Sequence, residues 1–345
     1  MSPPRPSFLL LSCLATLGLA HAAAAAALPA TMQAAAIDAP GGPERLTLHT
    51  LAVPKPRADE ILIALTAAGV ASWDVDVRKN PSELKNARMP LVLGTDGAGT
   101  VAALGERVHG FKVGDAVYAY SWDNPQGGFY AEYVAVPAER VGHVPRGLTL
   151  TQAGAIGTTG LTALQGVDDA LHVKPGGTLL IHGAAGGVGT LAVQFAKLRG
   201  ARVLATVAAA DEIDFVKALG ADVVIDGRHG DVAAAARTFA PQGLDAVLAF
   251  AGGEALEHGI DCLKTGGHVA YPSGVQPVPK AREGLVIVRY DAIPGPRQYE
   301  RLNAAIEAVK LQVPIAATFP LAQAARAQAR LEGGHVAGKI VLQIR

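Results

Sequence analysis

Short apolar runs alternate with amphipathic stretches in the middle of the chain, from residue 157 to about residue 294. After the first run, Leu191, Phe195 and Leu198 recur at helical spacing and therefore share one face of a helix. Strands that alternate with such helices are typical of a doubly wound parallel α/β sheet. The pattern predicts strands at residues 178–182, 202–206, 223–226, 246–250, 268–271 and 285–290.

The segments on either side of this region have a different pattern. From Met32 to about Ala155, short runs punctuated by Pro and Gly predict mainly β-structure, with strands at residues 60–66, 99–104, 116–119 and 131–136. The tail predicts helices at 298–311 and 321–331 and a closing strand at 339–344. We therefore expect one domain made of residues 31–155 and 296–345, interrupted by a second domain at 156–295.

The first 30 residues differ from both regions. They contain Arg5 and no acid, an apolar core at residues 8–20, and an A-x-A pattern at 20–22. These features are typical of a secretory signal peptide. Two alternatives are a membrane-anchored apolar helix and a true translation start at Met32.

Composition indicates a globular protein. Half of the 345 residues are hydrophobic, 17% are charged, and the formal net charge is zero. Without a basic block, nucleic-acid binding is not expected, and beyond the leader we expect no stable membrane insertion. The two cysteines are Cys13 and Cys262, so removal of the leader would leave no intramolecular disulfide.

A glycine-rich turn, HGAAGGVG at residues 182–189, joins the first predicted strand to the helix after it. Gly183 permits a tight turn, Gly186 lets the backbone approach a pyrophosphate, and Gly189 lets the helix pack against the strand. The helix N-terminus adds free N–H groups and a partial positive charge. A purely structural turn is the alternative. The predicted dinucleotide contacts here are Gly183, Ala184, Ala185, Gly186, Gly187 and Val188.

The end of the second predicted strand bears on the choice of dinucleotide. Thr206 is followed by Val207 and three alanines, where an acid would bind the ribose hydroxyls and repel a 2′-phosphate. Its absence favours NADPH over NADH, with Thr206 as a further contact. Arg228, after the third strand, is the candidate partner of the phosphate, and a solvated loop charge is the alternative.

Several motifs occur in order along the chain: LVLGTDGAGTV at 91–101, VGDAV at 113–117, GFYAEY at 128–133, GLTA at 160–163, the glycine turn, and GKIVL at 338–342. Together they resemble the medium-chain dehydrogenase/reductase superfamily, and most closely its zinc-free quinone oxidoreductase (zeta-crystallin-like) branch. The resemblance implies a GroES-like β catalytic domain, a Rossmann domain, NADPH in the cleft between them, and a homodimer. It also implies that the nicotinamide half contacts Thr158, Phe250, Ala251, Tyr271 and Ser273.

The resemblance also bears on metal. Zinc-dependent members carry Gly-His-Glu where this chain has Gly94, Thr95 and Asp96, and a Cys where it has the 69–72 stretch. Catalytic zinc needs about three Cys, His or carboxylate ligands, so we expect no metal. The family's quinone reductases often carry an Asn near Ala71 and a Tyr near Asp76, and both are absent here. Other activated double bonds therefore stay open as acceptors.

Without zinc, the small-molecule acceptor must itself be electrophilic. The sequence predicts reduction of a quinone, with reduction of enoyl or 2-alkenal substrates as one alternative and a non-catalytic NADPH-binding sensor as another. Motif position makes Ser72, Asp74 and Tyr130 the candidate catalytic residues. Asp74 could instead pair with Arg78, and Tyr130 could pack between strands. The leader favours export, whereas use of a reduced nicotinamide favours the cytoplasm, so the location stays open.

Overall fold

The computed structural model describes residues 28–85 and 87–345. The predicted leader falls almost wholly before them, so its cleavage pattern and Cys13 lie outside the described residues. Within the described part, none of the helices is both long and apolar enough to cross a membrane.

The first part of the chain is mainly β-structure. Strands β3, β5 and β6 pair antiparallel in a seven-stranded sheet. The four runs predicted from alternation each overlap a strand of this sheet. The elements are β1 (Thr31–Ile37), β2 (Thr47–Ala52), β3 (Glu60–Val70), α1 (Ser72–Lys79), β4 (Leu91–Val92), β5 (Asp96–Leu104), β6 (Ala116–Tyr120), β7 (Tyr133–Pro137) and β8 (Val141–His143).

The middle of the chain alternates strand and helix, as its pattern predicted. Its elements are α2 (Leu150–Gly154), α3 (Gly157–Gln165), β9 (Thr178–His182), α4 (Gly189–Leu198), β10 (Arg202–Val207), α5 (Ile213–Ala218), β11 (Val223–Asp226), α6 (Val232–Phe239), β12 (Leu244–Ala249), α7 (Glu254–Ile260), β13 (Leu263–Pro272) and β14 (Val286–Tyr290).

These six strands form one parallel sheet in the order β11-β10-β9-β12-β13-β14. The predicted doubly wound sheet is confirmed. The strand order reverses at β9, and open sheets of this kind bind ligands beyond the carboxyl ends of their strands at such a point. The glycine turn follows β9 directly, so topology alone brings it to the expected crevice.

The tail returns to the first sheet. It contains α8 (Pro296–Val309), β15 (Ile315–Pro320), α9 (Ala324–Glu332) and β16 (Lys339–Gln343). Strand β16 pairs antiparallel with β3 and parallel with β15. This pairing is what a domain split in sequence requires, and the boundaries at 31–155, 156–295 and 296–345 stay a prediction.

Apolar side chains cover both faces of the parallel sheet. Leu161, Phe195 and Leu302, from α3, α4 and α8, belong to one buried cluster. Phe239 and Leu256, from α6 and α7, belong to a second. Each such side chain stabilises the fold by about 1.5–3 kcal/mol on full burial. Because helices cover both faces of the sheet, we expect a ligand to approach it at the ends of its strands.

Candidate active site

The glycine turn has the geometry its sequence predicted. Gly183 has a φ of 83°, in the left-handed region where glycine is favoured. A Cβ on Gly189 would lie 2.3 Å from the Gly183 carbonyl oxygen, so only glycine lets α4 begin this close to the strand. A Cβ on Gly186 would meet nothing nearer than 3.6 Å. The turn is therefore tight on its inner side and open on its outer side.

Two adjoining cavities occupy the crevice beyond this turn. The first, called here the turn cavity, has a volume of about 240 Å³ and is lined by the glycine turn, Ser72 and Lys339. Six of the predicted cofactor contacts line this cavity: Gly183, Gly186, Gly187, Val188, Phe250 and Ser273. A seventh, Thr158, lines the adjoining cavity, which Val188 and Ser273 also line.

The second cavity, called here the aromatic cavity, has a volume of about 450 Å³. Its walls include Trp73, Tyr120 and Trp122, together with the hydroxyl-bearing Thr158 and Thr162. It shares Trp73, Asp76, Val188, Pro272, Ser273 and Gly274 with the turn cavity. The two cavities therefore form one continuous cleft, of a size typical of small-molecule sites.

Thr158, which lines the aromatic cavity, has a buried hydroxyl without a hydrogen-bond partner among the described residues. Its backbone N–H, near the start of α3, donates to Asp96 Oδ2 at 2.8 Å. A buried polar atom without a partner is unfavourable, so this hydroxyl fits a ligand that carries a carbonyl or amide group.

Tyr120, which sequence reasoning did not single out, is a second hydroxyl in the wall of this cavity. Burial raises the pKa of its phenol to about 12, with further contributions from the carboxylates of Asp291 and Asp96, while Arg140 acts in the opposite direction. The phenol therefore keeps its proton at neutral pH and can donate a hydrogen bond. Nothing in the sequence distinguished Tyr120 from the other tyrosines of the β-region.

The remaining turn residues support the cleft from below. Ala184 and Ala185 are buried, and the Ala184 N–H donates to the Thr206 carbonyl at 2.9 Å. Thr206 is also buried, and its hydroxyl accepts from the Gly183 N–H and contacts His182 Nδ1 at 2.7 Å. Burial lowers the pKa of His182 to about 4, so this imidazole is neutral. These side chains shape the turn rather than line the cavities.

Two other predicted contacts also lie behind the cleft. A Cβ on Gly183 would lie 3.6 Å from the backbone nitrogen of Ala251, so Ala251 backs the glycine turn. Tyr271, near the end of β13, packs its ring against the core on one face of the parallel sheet. Neither residue is among those that line the two cavities.

Arg228 is exposed after β11, and its Nη1 lies 3.4 Å from His335 Nε2. His335 belongs to the loop that leads to Gly338, whose N–H donates to the Ala185 carbonyl at 2.8 Å. Arg330 donates to the carbonyls of Gly334 and His335. Three basic side chains therefore gather at the loop whose Gly338 contacts the glycine turn.

The structure corrects the expectation that the end of the second strand is free of acid. Glu212, in the turn before α5, folds its side chain back so that Oε2 accepts from the Ala208 N–H at 3.0 Å. Glu212 is 9% exposed. A carboxylate thus reaches the strand end from four residues further along the chain. The linear fingerprint misses it because it tests the residues directly after the strand.

Asp74 and Tyr130 lie behind the cleft wall. Asp74 Oδ2 accepts from the Ala71 N–H and from the Tyr130 hydroxyl, each at 2.9 Å, and both side chains are fully buried. Burial raises the pKa of Asp74 to about 7 and Asp96 adds to the rise, whereas Lys339 and the two hydrogen bonds act against it. Of the three predicted catalytic residues, Ser72 alone is among those that line the two cavities.

The alternative salt bridge between Asp74 and Arg78 is wrong. Arg78 turns away from Asp74, donates to the Gly41 carbonyl at 3.0 Å and to Gln328, and pairs with Glu332 at 2.9 Å. The two side chains are one helical turn apart, but each is buried and hydrogen-bonds to different residues. Arg78 thereby ties α1 to α9.

The residues at the family's zinc position do not fit a zinc ion. Thr95 stands there with its hydroxyl 2.7 Å from Trp73 Nε1, and Ala71 and Ser72 supply neither thiolate nor imidazole. Within residues 28–85 and 87–345, no three His, Cys, Asp or Glu side chains form a group that could hold a metal ion.

Two family models match the chain. One, described as an alcohol dehydrogenase GroES-like domain, matches residues 57–146, and one, described as a zinc-binding dehydrogenase, matches residues 219–342. The quinone oxidoreductase of Sus scrofa is 31% identical over 299 residues, covering 83% of this chain and 90% of that protein. A 2-haloacrylate reductase from Burkholderia sp is 30% identical and covers 90% of this chain and 98% of its own.

Solved structures of similar proteins indicate the same family. The quinone oxidoreductase from Coxiella burnetii has a TM-score of 0.81 and 32% identity, covering 91% of this chain and 100% of its own. Mycobacterial Rv1454c complexed with NADPH has a TM-score of 0.80 and 29% identity, with the same coverages. The protein is thus an oxidoreductase with a nicotinamide-dinucleotide site. It belongs to the medium-chain dehydrogenase/reductase superfamily, in its quinone oxidoreductase-like branch.

Proposed function

We propose that this protein is a zinc-independent, NADPH-dependent reductase whose acceptor is a quinone. The observation that carries the proposal is the continuous cleft, in which an open glycine turn meets a cavity with aromatic walls and hydroxyl groups. A nicotinamide bound there would supply the hydride. The residues at the zinc position do not fit a metal, so the acceptor must be electrophilic without one.

The chain's own contribution is binding and orientation. Backbone N–H groups of the glycine turn and of the α4 N-terminus would hold the pyrophosphate. Those of Gly183, Ala184 and Gly186 are not among them, because they donate within the fold. Trp73 and Trp122 hold a planar ring within the aromatic cavity. Burial of that ring in the cavity excludes water. Positioning of this kind lowers the barrier to transfer because it converts an encounter of two molecules into a step within one complex.

Tyr120 and Thr158 supply hydrogen bonds to the acceptor oxygen. Negative charge develops on that oxygen as the ring is reduced, and donors fixed in a low-dielectric cavity stabilise it more than water does. The phenol of Tyr120 is protonated at neutral pH, and burial raises its pKa further, to about 12, so it acts as a hydrogen-bond donor rather than as a strong acid. Tyr120 is therefore the proposed hydrogen-bond donor to the developing charge, and Thr158 the proposed donor that orients the ring.

Ser72 lines the turn cavity and is placed to contact a ligand. Asp74 and Tyr130 are buried behind the cleft wall and are placed to hold α1 in position. Asp74 fastens the first turn of α1 by accepting from the Ala71 N–H. The residue between Ser72 and Asp74 is Trp73, a wall of both cavities. We assign Asp74 and Tyr130 to positioning of α1, and Ser72 to contact with the bound dinucleotide.

NADPH is proposed over NADH because Arg228 and His335 offer two cationic or hydrogen-bonding groups beside the glycine turn. Glu212 opposes this choice, since its carboxylate approaches the strand end where the adenosine ribose binds. We therefore expect a modest preference for NADPH. Rv1454c, which is structurally similar, is complexed with NADPH.

Reduction of an activated alkene is the second candidate function. It is favoured by the similarity to the Burkholderia 2-haloacrylate reductase. The same cleft would serve, with the carbonyl oxygen of an uncharged alkenal or enone in place of the quinone oxygen. Formation of a homodimer is also proposed, and sedimentation of the purified protein tests it.

The test uses protein that begins at Met32, titrated with NADPH and NADH and then supplied with a benzoquinone and a set of 2-alkenals. We expect micromolar binding of NADPH and its oxidation by the benzoquinone faster than by the alkenals. Faster oxidation by the alkenals would favour the second candidate. Binding without oxidation by either class would favour a sensor, and no binding of either dinucleotide would contradict the proposal outright.

A further inference from the structure

The aromatic cavity has acids on two of its walls. Asp76 lies on α1 and Glu83 in the turn that follows it, and both are exposed. Asp291, directly after β14, faces them from the parallel-sheet side, where it accepts from the hydroxyl of Ser273 at 2.9 Å. Among the described residues that line this cavity, none is Lys or Arg.

The groups behind the walls do not offset these charges. Asp96 is fully buried behind Thr158, with Oδ2 on the Thr158 N–H and Oδ1 without a partner among the described residues. Two basic side chains near the cavity make their hydrogen bonds outside it. Arg140 donates to Ser121 Oγ behind Tyr120, and Lys339 lies in the turn cavity with Nζ on the Val70 carbonyl. The charged side chains that line the aromatic cavity are therefore all acidic, and Lys339, whose Nζ lies 5.6 Å from the centre of the Trp73 ring, approaches this wall from the turn cavity.

We propose that the aromatic cavity selects its acceptor by charge: it takes planar, uncharged carbonyl compounds and rejects those that carry a carboxylate or sulfonate. The unpartnered Thr158 hydroxyl and the tryptophan walls recognise a neutral ring with a carbonyl oxygen, and the acids repel an anion. Clefts lined by one sign of charge focus the field, so a few charges change both the encounter rate and the affinity. The inference rests on the proposed function, because it concerns the acceptor of that same site.

The decisive comparison uses 1,4-naphthoquinone and 1,4-naphthoquinone-2-sulfonate as acceptors for the NADPH-loaded protein. In the wild type we expect kcat/KM for the sulfonate to be lower by roughly tenfold or more at low salt. The difference should shrink at high salt, because screening weakens interactions between partly exposed charges. The chain has two tryptophans, and both line this cavity, so quenching of their fluorescence measures binding directly.

Because the sulfonate also changes the reactivity of the ring, the conclusion depends on variants. The variant Asp76→Asn, Glu83→Gln, Asp291→Asn should raise the sulfonate-to-parent ratio of kcat/KM by about fivefold or more. A matched control removes three exposed acids elsewhere: Asp38→Asn, Asp214→Asn, Glu254→Gln, whose side chains are 72%, 98% and 87% exposed. The control should leave the ratio at its wild-type value.

An equal ratio in the cavity variant, the control and the wild type would overturn charge selection. Failure of the proposed function looks different, since neither quinone would then oxidise NADPH. In that case the fluorescence titration still decides the inference: tighter quenching by the parent than by the sulfonate, lost in the cavity variant alone, supports it. Equal quenching by both compounds contradicts it.

Discussion

Tyr120 and Thr158 both line the aromatic cavity, where the acceptor is proposed to bind. The Tyr120 phenol is protonated at neutral pH, and the Thr158 hydroxyl is a buried donor without a partner in the described residues. A buried hydroxyl without a partner is unfavourable to folding unless a ligand satisfies it. Thr158 is therefore a residue whose polar group the fold alone leaves unsatisfied.

Removal of the Tyr120 hydroxyl tests its proposed role. We expect Tyr120→Phe to lower kcat by about 10- to 100-fold, since it removes one donor to the developing charge, with little change in the dissociation constant for NADPH. The control is Tyr118→Phe, whose hydroxyl donates to Asn303 at 2.8 Å away from the cleft. Equal loss of kcat in both variants would show that Tyr120 acts through stability only.

Glu212 and Arg228 are the residues that we expect to set the preference between dinucleotides. Glu212→Gln removes a negative charge near the ribose but keeps an acceptor for the Ala208 N–H, so we expect NADPH to bind about threefold to tenfold more tightly relative to NADH. Arg228→Ala should shift the ratio in the opposite direction. Calorimetric titration of each variant with both dinucleotides measures this. A Glu212→Gln variant with the wild-type ratio would mean that the carboxylate lies too far from the ribose.

The sequence was least informative about the positions of individual side chains. It predicted the glycine turn, because a turn of that kind is fixed by residues adjacent in sequence. It missed Glu212 and Tyr120, whose roles arise from a side chain folding back and from a cavity formed by distant elements. It also chose Asp74 and Tyr130 by motif position, and burial puts both behind the wall.

Helix α1 is the element that carries the cleft wall formed by Ser72, Trp73 and Asp76. Asp74 fastens its N-terminal turn, and Arg78 joins its C-terminal turn to α9 through Gln328 and Glu332. Periodicity could not predict these anchors, since α1 is only eight residues long and two of its charged residues, Asp74 and Arg78, are buried with its valines. The six strands of the parallel sheet and the long helix α8, by contrast, followed from apolar spacing, whereas β1, β2 and β15 were not predicted.

Asp74 makes the stability of this element depend on pH. Its pKa is about 7 in the folded protein against a usual value of 3.8, so the folded state holds the proton over a range in which the unfolded chain has lost it. The stabilisation is complete below the lower pKa and is lost as pH rises through the higher one. Asp74→Asn does not titrate. Its free energy of unfolding should therefore rise relative to wild type between pH 4 and pH 8.

Urea denaturation of both proteins at pH 5 and pH 8 measures this change. The expected difference is of the order of a few kcal/mol, since each unit of pKa shift corresponds to about 1.4 kcal/mol. Asp214→Asn, at an exposed position, provides the control and should show no such trend. A wild-type-to-Asp74→Asn difference that is the same at both pH values would mean that the carboxyl is ionised in the folded protein.

At the scale of the whole molecule, the cleft depends on contacts between the parallel sheet and the C-terminal segment. Gly186 and Gly338 form a bridge, and the Gly338 N–H donates to the Ala185 carbonyl. The ordered motifs predicted both partners and the return of the tail to the first sheet. They could not predict that the loop before β16 would touch the glycine turn, because that contact joins residues about 150 positions apart.

Gly338→Ala tests whether this contact serves the cleft. Gly338 has a φ of 94°, and an added Cβ would lie 2.4 Å from the Pro314 carbonyl oxygen, so the loop must move away from the turn. Gly334→Ala is the matched control: its φ of 72° gives similar backbone strain, but no atom lies within 4 Å of the added Cβ. Both variants should lose roughly 1 kcal/mol or more of stability from strain.

Only Gly338→Ala should also weaken dinucleotide binding, by about tenfold, because it alone displaces the loop that holds the Ala185 carbonyl and thereby the shape of the turn. Thermal unfolding with and without a fixed, high concentration of NADPH separates the two effects, since a ligand that binds the folded state stabilises it by RT ln(1 + [L]/Kd). Equal NADPH-induced shifts in the two variants would mean that the turn keeps its geometry without the C-terminal segment. The shape of the glycine turn would then be set by the parallel sheet alone.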